Sequence, residues 1–153
     1  MNYWLMKSEP DVFSIEDLRS AKGKRTCWDG VRNYQARNFM RDEMKKGDLV
    51  LFYHSRVQPI GVAGVAEVVK ESYPDHTQFD AKDSHFDPKS KPEDPRWFMV
   101  DIKHKKSFDD IISLQDLRQT KGLEKMPLLQ RGQRLSVQPV AKKEFDIVTK
   151  LGN

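Results

Sequence analysis

Two apolar segments restrict the possible folds of this chain more than any other feature of its sequence. Residues 49–53 are Leu-Val-Leu-Phe-Tyr, so both alternating faces of an extended segment are apolar. This pattern predicts a strand that is buried on both faces, inside a barrel or between two layers. Residues 61–69 form a second segment of this kind, and its glycines and alanines permit close backbone approach at a bend. We therefore expect a domain built around buried strands.

Short helices are predicted between the strands. Ser14 and Ser113 each stand three residues before an aspartate, the spacing of a helix-capping box. Asn33 can cap a helix that runs to about Met44, and residues 142–151 can form a closing helix. Further strands are predicted over 3–6, 97–103 and 134–138. Because the pattern lacks βαβ regularity, it predicts an α+β fold, a small and mostly antiparallel β-barrel surrounded by short helices.

Length and composition favour a single domain over residues 1–153. The only cysteine, Cys27, cannot form an internal disulfide, and no stretch approaches the roughly 20 apolar residues that a membrane span requires. The residues after Met1 lack the pattern of a signal peptide. We expect a monomeric cytoplasmic protein without a membrane partner, associated with the nucleoid or, in a eukaryotic source, located in the nucleus.

The net charge of +4 and the isoelectric point near 9.1 weakly favour an anionic partner. Basic residues outnumber acidic ones in residues 1–47 and 111–153, whereas acidic residues are in excess over 70–110. If the two ends meet in the fold, they can form one surface that attracts phosphates. Two ordinary solvated faces explain the same distribution equally well.

Residues 71–95 are polar and predict a long loop or lid. The histidines and aspartates between Asp75 and Asp87 could in principle bind a divalent metal, but their spacing matches no recurring ligand pattern. We therefore expect neither a metal nor a cofactor. The sequence also lacks a phosphate-binding glycine loop, a nucleophile elbow and a zinc-deaminase motif. Cys27 is better explained as a buried structural residue than as a reactive thiolate.

Aromatic and polar side chains recur where predicted elements begin or end. Residues 28–33 form a loop entering a helix, where free N–H groups and Arg32 suit an anion. Further groups of this kind occupy 53–55 and 95–97, and Ser136 and Gln138 share a predicted strand face. Aromatic planes stack on nucleobases for ~1–3 kcal/mol, and Ser, Asn and Gln can hydrogen-bond to the edge of a base. Core packing better explains each aromatic residue alone, but the joint pattern favours a base-binding cleft.

At these positions the sequence resembles the EVE domain family. The resemblance covers residues 3 to about 148 and rests on a specific, tryptophan-rich set of motifs. The matching motifs are Tyr3-Trp-Leu-Met-Lys-Ser-Glu-Pro10, Trp28-Asp-Gly-Val-Arg-Asn-Tyr-Gln-Ala-Arg-Asn38, Gly47-Asp48, Phe52-Tyr-His-Ser55, Tyr73-Pro-Asp75, Asp87-Pro-Lys-Ser90, Pro95-Arg-Trp97 and Arg131-Gly-Gln-Arg-Leu-Ser-Val-Gln-Pro139. The resemblance implies a PUA-like fold and a reader that accommodates an everted nucleobase, a modified cytosine or adenine, in DNA or RNA.

The resemblance also implies the positions of the cleft. The base-binding candidates are Lys7, Ser8, Glu9, Trp28, Val31, Arg32, Asn33, Tyr53, His54, Ser55, Trp97, Ser136 and Gln138. Trp28, with Tyr53 or Trp97, would supply the stacking walls, and Glu9 could accept from an exocyclic amine. The phosphate-binding candidates are Arg32, Arg37, Arg41 and Lys89. We expect Trp28→Ala to weaken binding at least tenfold and to leave the fold intact.

Two other functions remain open at this stage. An RNA-binding module of the PUA type, for structured or modified RNA, would depend on contacts to the ribose 2′-hydroxyl. An enzyme acting on a nucleobase would require turnover, with Glu9, Asp29 or His54 essential for the rate and dispensable for binding. The absence of a catalytic motif favours the non-catalytic reader.

Overall fold

The computed structural model describes all residues, 1–153. It contains six strands, which are β1 (Tyr3–Ser8), β2 (Arg25–Cys27), β3 (Leu49–His54), β4 (Gly61–Pro74), β5 (Phe98–Ser113) and β6 (Val137–Val140). The α-helices are α1 (Ile15–Ser20), α2 (Tyr34–Asn38), α3 (Leu114–Arg118) and α4 (Lys142–Gly152). A π-helical turn, Phe39–Glu43, follows α2, and short 3₁₀ turns cover Lys22–Lys24, His76–Phe79 and Pro127–Leu129. None of the helices has the length and apolar character needed to cross a bilayer.

The strands form one sheet in the order β2-β5-β4-β3-β1-β6. All neighbouring strands are antiparallel except β1 and β3, which are parallel. The predicted α+β class, with a mostly antiparallel sheet and short helices, is confirmed. The sheet does not close into a complete barrel, because β2 and β6 lie at its two edges.

Side-chain alternation along the central strands creates two apolar cores. In β3, Val50 and Phe52 belong to the first core, whereas Leu51 and Tyr53 belong to the second. Because successive side chains of a strand point to opposite faces, these cores lie on the two sides of the sheet. The first core also receives buried residues of α1 and α2, and the second core receives buried residues of α3 and α4.

The helix starts follow the predicted capping. The Ser14 hydroxyl accepts from the Asp17 N–H at 3.1 Å, and the Asp17 carboxylate accepts from the Ser14 N–H at 2.9 Å. Asn33 and Ser113 cap α2 and α3 through the N–H groups three residues ahead, each at 3.0 Å. These contacts satisfy backbone donors that would otherwise lack partners at a helix start. The capping residues therefore mark the points at which the preceding loops end and α1, α2 and α3 begin.

Candidate functional site

A cavity of about 690 Å³ opens on the first-core side of the molecule, between the end of β1, the segment from β2 to α2 and the tip of the polar loop after β4. Its volume falls within the roughly 300–1,000 Å³ that small-molecule sites occupy. Seven of the predicted cleft residues line it. They are Lys7, Ser8, Glu9, Trp28, Val31, Arg32 and Ser136.

Trp28 forms part of the cavity wall and of the first core at once. Its indole packs edge-to-face on Phe52, with ring centroids 5.5 Å apart, and its backbone N–H donates to the Val100 carbonyl at 2.8 Å. Only 8% of the residue is exposed. This packing contradicts the expectation that Trp28→Ala leaves the fold unaffected, because removing a buried tryptophan costs about 3–5 kcal/mol.

A buried carboxylate shapes the loop after Trp28. Asp75 is fully buried and accepts from the Gly30 N–H at 2.8 Å, from the Thr77 N–H and hydroxyl, and from the Arg32 guanidinium at 3.1 Å. Burial alone would raise the pKa of Asp75, but these hydrogen bonds outweigh it and hold the pKa below its ordinary value. Asp75 therefore stays ionised and fixes the cavity loop to the end of β4.

Gly30 and His85 form a close contact on the same side of the cavity. Gly30 has a φ of +81°, and a Cβ added there would lie 2.7 Å from His85 Nε2. Only glycine meets both conditions without strain. His85 and Ser84 both line the cavity, and neither was predicted as a cleft residue, because the polar loop carries no hydrophobic pattern that would place it against Gly30. Five further residues line the cavity and were not predicted as cleft residues either. They are Val12, Phe13, Thr26, Cys27 and Asp29.

Arg32 lies at the cavity but is committed to internal contacts. Its guanidinium donates to the His85 carbonyl at 2.8 and 3.1 Å, to Asp75 and to the Thr77 hydroxyl at 3.0 Å. It also lies 5.4 Å from the centre of the Trp97 ring. Its charge is compensated by Asp75 and its donors are in use. The structure therefore contradicts its predicted role as a phosphate ligand and assigns it to the loop scaffold.

Tyr53, His54 and Ser55 do not line this cavity. Tyr53 is 3% exposed and belongs to the second core, on the other face of the sheet from Phe52. Lys7 reaches toward it, with the ammonium 5.8 Å from the ring centre, and burial lowers the pKa of Lys7. His54 is buried and its Nε2 accepts from the Ile15 N–H at 3.1 Å, while the Ser55 N–H donates to the Ser8 carbonyl. A stacking wall formed by Tyr53 is excluded by this placement.

Trp97 also lies outside the cavity lining. Its indole is 6% exposed, donates to Asp87 at 2.7 Å and stacks on Tyr34, with ring centroids 4.8 Å apart. The guanidinium of Arg37 lies 4.8 Å from the other ring of this pair, Tyr34. The predicted pairing of Trp28 and Trp97 across one hollow is therefore wrong. Trp97 instead belongs to a stack, Arg32–Trp97–Tyr34–Arg37, that leads from the cavity to the surface of α2.

Two polar residues of the predicted cleft lie elsewhere. Asn33 is the N-cap of α2, and its carboxamide oxygen is occupied by the Ala36 N–H. Gln138 was predicted to share a face with Ser136, but β6 begins at Val137, and Ser136 precedes the regular strand. Gln138 is 1% exposed, donates to the Leu135 carbonyl at 2.8 Å and does not reach the cavity.

The remaining phosphate candidates are at the surface. Arg37 donates to Asn38 and, at 2.9 Å, to the Arg96 carbonyl, and Arg41 pairs with its neighbour Asp42 at 2.8 Å. Lys89 is exposed in the polar loop, and its ammonium takes part in no hydrogen bond or ion pair. Arg37 and Arg41 are one helical turn apart and present their charge at the outer end of the stack.

The cavity contains a small set of polar side chains that make no hydrogen bond within the protein. These are Lys7, Asp29, Ser84 and Ser136. By contrast, the Ser8 hydroxyl donates to the Phe13 carbonyl, and Glu9 pairs with Arg56 at 2.9 Å. Burial, followed by the charges of Asp29 and Asp101, raises the pKa of the Cys27 thiol. No group of three or more His, Cys, Asp or Glu side chains is placed to hold a metal ion.

The protein is an α+β domain of PUA-like topology. Its cavity, with Trp28 in the wall, lies between the ends of β1 and β2. The chain belongs to the EVE domain family, whose model matches residues 2–151. Thymocyte nuclear protein 1 of Mus musculus is 47% identical to it over 98% of this chain and 73% of its own length.

Solved structures show the same relationship. A protein from Pseudomonas syringae matches with a TM-score of 0.93 and 45% identity, covering 99% of both chains. The human THYN1 protein, solved in complex with DNA that contains 5-methylcytosine, matches with a TM-score of 0.92 and 46% identity, covering 100% of this chain and 98% of that one.

Proposed function

We propose that this protein is a non-catalytic nucleic-acid reader that holds an everted, modified nucleobase in the cavity beside Trp28. The observation that carries the proposal is the cavity itself, which combines an indole wall with unoccupied polar side chains. The relative solved with 5-methylcytosine DNA is 46% identical along the whole chain, which makes 5-methylcytosine the first base to test. An adenine carrying a modification is the other base of the proposed class.

The cavity chemistry suits a base better than a phosphate. Trp28 offers an aromatic surface, and stacking on such a surface contributes about 1–3 kcal/mol per base. Ser84, Ser136 and Asp29 can hydrogen-bond to polar groups at the edge of a base. Of the two cationic side chains in the lining, only Lys7 has free donors, because those of Arg32 are all in use. Eversion of a base costs a few kcal/mol, so contacts outside the cavity must contribute to binding.

Arg37 and Arg41 are the proposed source of that contribution, with Lys89 on the neighbouring loop. The stack Arg32–Trp97–Tyr34–Arg37 connects the cavity wall to this surface through contacts of 5.4, 4.8 and 4.8 Å. A strand whose everted base enters the cavity would pass its flanking phosphates over the outer end of this stack. Such contacts supply affinity without sequence preference.

Filling the cavity tests the proposal directly. The Ser136 hydroxyl lies on the wall without a hydrogen bond, so Ser136→Trp should occupy the space intended for the base. Ser20→Trp, at the exposed end of α1, is the matched control. We expect Ser136→Trp to weaken binding of a duplex with one 5-methylcytosine at least tenfold, and Ser20→Trp to bind like wild type in fluorescence anisotropy. Equal affinity of the two variants would show that the base does not enter this cavity.

Two further measurements separate the alternatives. An RNA-binding module of the PUA type predicts that an RNA oligonucleotide carrying the same modified base binds more tightly than its DNA counterpart, through the 2′-hydroxyl. An enzyme predicts a new product after prolonged incubation with the preferred oligonucleotide. We expect no new product by mass spectrometry, and sustained turnover would overturn the assignment as a reader. The monomeric state and the cytoplasmic location remain predictions.

A further inference from the structure

Asp29 is held at the cavity with unusual backbone support for an exposed loop residue. The N–H of the preceding Trp28 donates to the Val100 carbonyl at 2.8 Å, and the N–H of the following Gly30 donates to Asp75 at 2.8 Å. Its backbone is thus fixed on both sides to strand β5 and to a fully buried carboxylate. The Asp29 side chain lines the cavity and makes no hydrogen bond or ion pair within the protein. Its position is fixed while its hydrogen-bonding capacity is unused.

The other acidic residue of the cavity lining, Glu9, differs in this respect. Its carboxylate pairs with Arg56 at 2.9 Å at the outer rim. The predicted role of Glu9 as acceptor for an exocyclic amine therefore competes with an existing ion pair. Asp29 has no such competitor, and its carboxylate can accept hydrogen bonds but cannot donate them when ionised.

The surroundings of Asp29 favour a donor as its partner. Partial burial, together with the negative charge of Asp75 and Asp83, raises the pKa of Asp29, and the nearby His85 and His76 oppose this effect. A ligand that brings an N–H donor stabilises the ionised carboxylate of Asp29, whereas a phosphate or a carbonyl oxygen opposes its charge. This environment favours a base that presents an amine over a base that presents a carbonyl at the same position.

We propose that Asp29 accepts a hydrogen bond from the exocyclic amine of the everted base and is a specificity-determining residue of the cavity. This inference rests on the proposed function. It assigns the cavity to bases of the cytosine and adenine type and excludes thymine and uracil, which carry a carbonyl oxygen in place of the amine. 5-Methylcytosine and thymine carry the same 5-methyl group, and they differ in the 4-amine against the 4-carbonyl and in the N3 acceptor against the N3–H donor.

The experiment compares 5-methylcytosine with thymine at one position of a duplex, opposite an abasic site, so that neither base must leave a base pair. We expect wild type to bind the 5-methylcytosine probe at least tenfold more tightly than the thymine probe. Asp29→Ala should bring the two affinities within threefold, and Asp29→Asn should raise affinity for thymine, because an amide can donate to its carbonyl oxygen.

Asp11→Asn is the matched control, because it also removes one negative charge, from an exposed residue that follows Glu9 closely in the chain and is not part of the cavity lining. It should keep the wild-type ratio between the two probes, even if both affinities rise through the loss of charge. An unchanged ratio in both Asp29 variants, or a wild-type protein without preference, would overturn the inference. Failure of the proposed function is recognised separately, since Ser136→Trp would then bind the 5-methylcytosine probe as wild type does.

Discussion

His54 joins the end of β3 to the start of α1. Its Nε2 accepts from the Ile15 N–H at 3.1 Å, one of the backbone donors that lack a partner within the helix. This hydrogen bond requires a neutral imidazole with Nε2 unprotonated. Burial lowers the pKa of His54, and the weaker opposing effect of Asp17 does not reverse this. At the residue scale His54 is therefore a pH-sensitive structural contact outside the cavity.

Loss of the hydrogen bond between His54 and Ile15 at low pH should reduce the free energy of unfolding. In the unfolded chain a histidine has a pKa of about 6.5, so the unfolded state takes up the proton first as the pH falls. The contribution of His54 to the free energy of unfolding should therefore decrease as the pH falls below about 6.5, and it should be constant above that pH. His54→Gln, whose carboxamide can still accept from Ile15, should lack that part of the decrease. Thermal melts of both proteins between pH 5 and 8 measure the difference, and parallel curves would contradict the prediction.

Single residues also show the limits of prediction from sequence. The resemblance and the motifs placed Trp28, Ser8 and Ser136 at the cavity, because these residues adjoin strand ends that meet at one side of the sheet. Trp97, Tyr53 and Gln138 are equally good candidates by type. Their placement depends on strand register and on the tertiary position of the polar loop, which a local pattern does not contain. Asp29 stands beside Trp28 in the sequence, but its lack of a partner is visible only in three dimensions.

At the scale of elements, the hairpin of β4 and β5 is much longer than predicted. The predicted strands 61–69 and 97–103 are only the apolar halves of strands that extend to Pro74 and Ser113. The remaining halves are rich in charged and exposed residues, so no apolar alternation marks them. Register shifts along the hairpin, for example between Val62 and Gly64, further disturb the period of two.

The glycines of β4 make this hairpin possible. A Cβ at Gly61 would overlap the Ile112 carbonyl oxygen, and a Cβ at Gly64 would overlap that of Lys106. In both cases the obstacle is backbone, which cannot move aside as the end of a flexible side chain can. The expectation of close backbone approach in this strand is therefore confirmed, with β5 as the partner.

Gly61→Ala should consequently separate the two longest strands. We expect a loss of about 3 kcal/mol or more in the free energy of unfolding, since the strain falls on the backbone pairing of β4 with β5. Gly132→Ala is the control. Gly132 has a φ of +78° but no atom within 4 Å of an added Cβ, so only the left-handed backbone contributes, at about 1 kcal/mol. Urea denaturation at constant m-value measures both, and equal midpoints would contradict the steric argument.

At the scale of the whole molecule, the net positive charge lies on the outer surface and not in the cavity lining. The four charged side chains of the cavity lining are Lys7, Glu9, Asp29 and Arg32, and their charges sum to zero. Arg32 is also compensated by Asp75, and Glu9 pairs with Arg56. Attraction of a polyanion must therefore come from the outer surface. Arg37 and Arg41 lie on α2 and its π-helical extension, at the outer end of the aromatic stack, whereas the Lys105–Lys106 pair lies on β5. The resemblance to the EVE family named Arg37 and Arg41 as phosphate candidates and did not name Lys105 or Lys106.

The salt dependence of binding distinguishes them. Each phosphate that a protein neutralises adds about 0.9 to the slope of the logarithm of the association constant against the logarithm of the salt concentration. Arg37→Gln with Arg41→Gln should therefore reduce the slope by about 1–2, with similar effects on modified and unmodified duplexes. Lys105→Gln with Lys106→Gln removes the same charge and should leave the slope close to that of wild type. If the lysine variant shows the larger reduction, the bound strand follows β5 instead, and the aromatic stack does not lead it to the cavity.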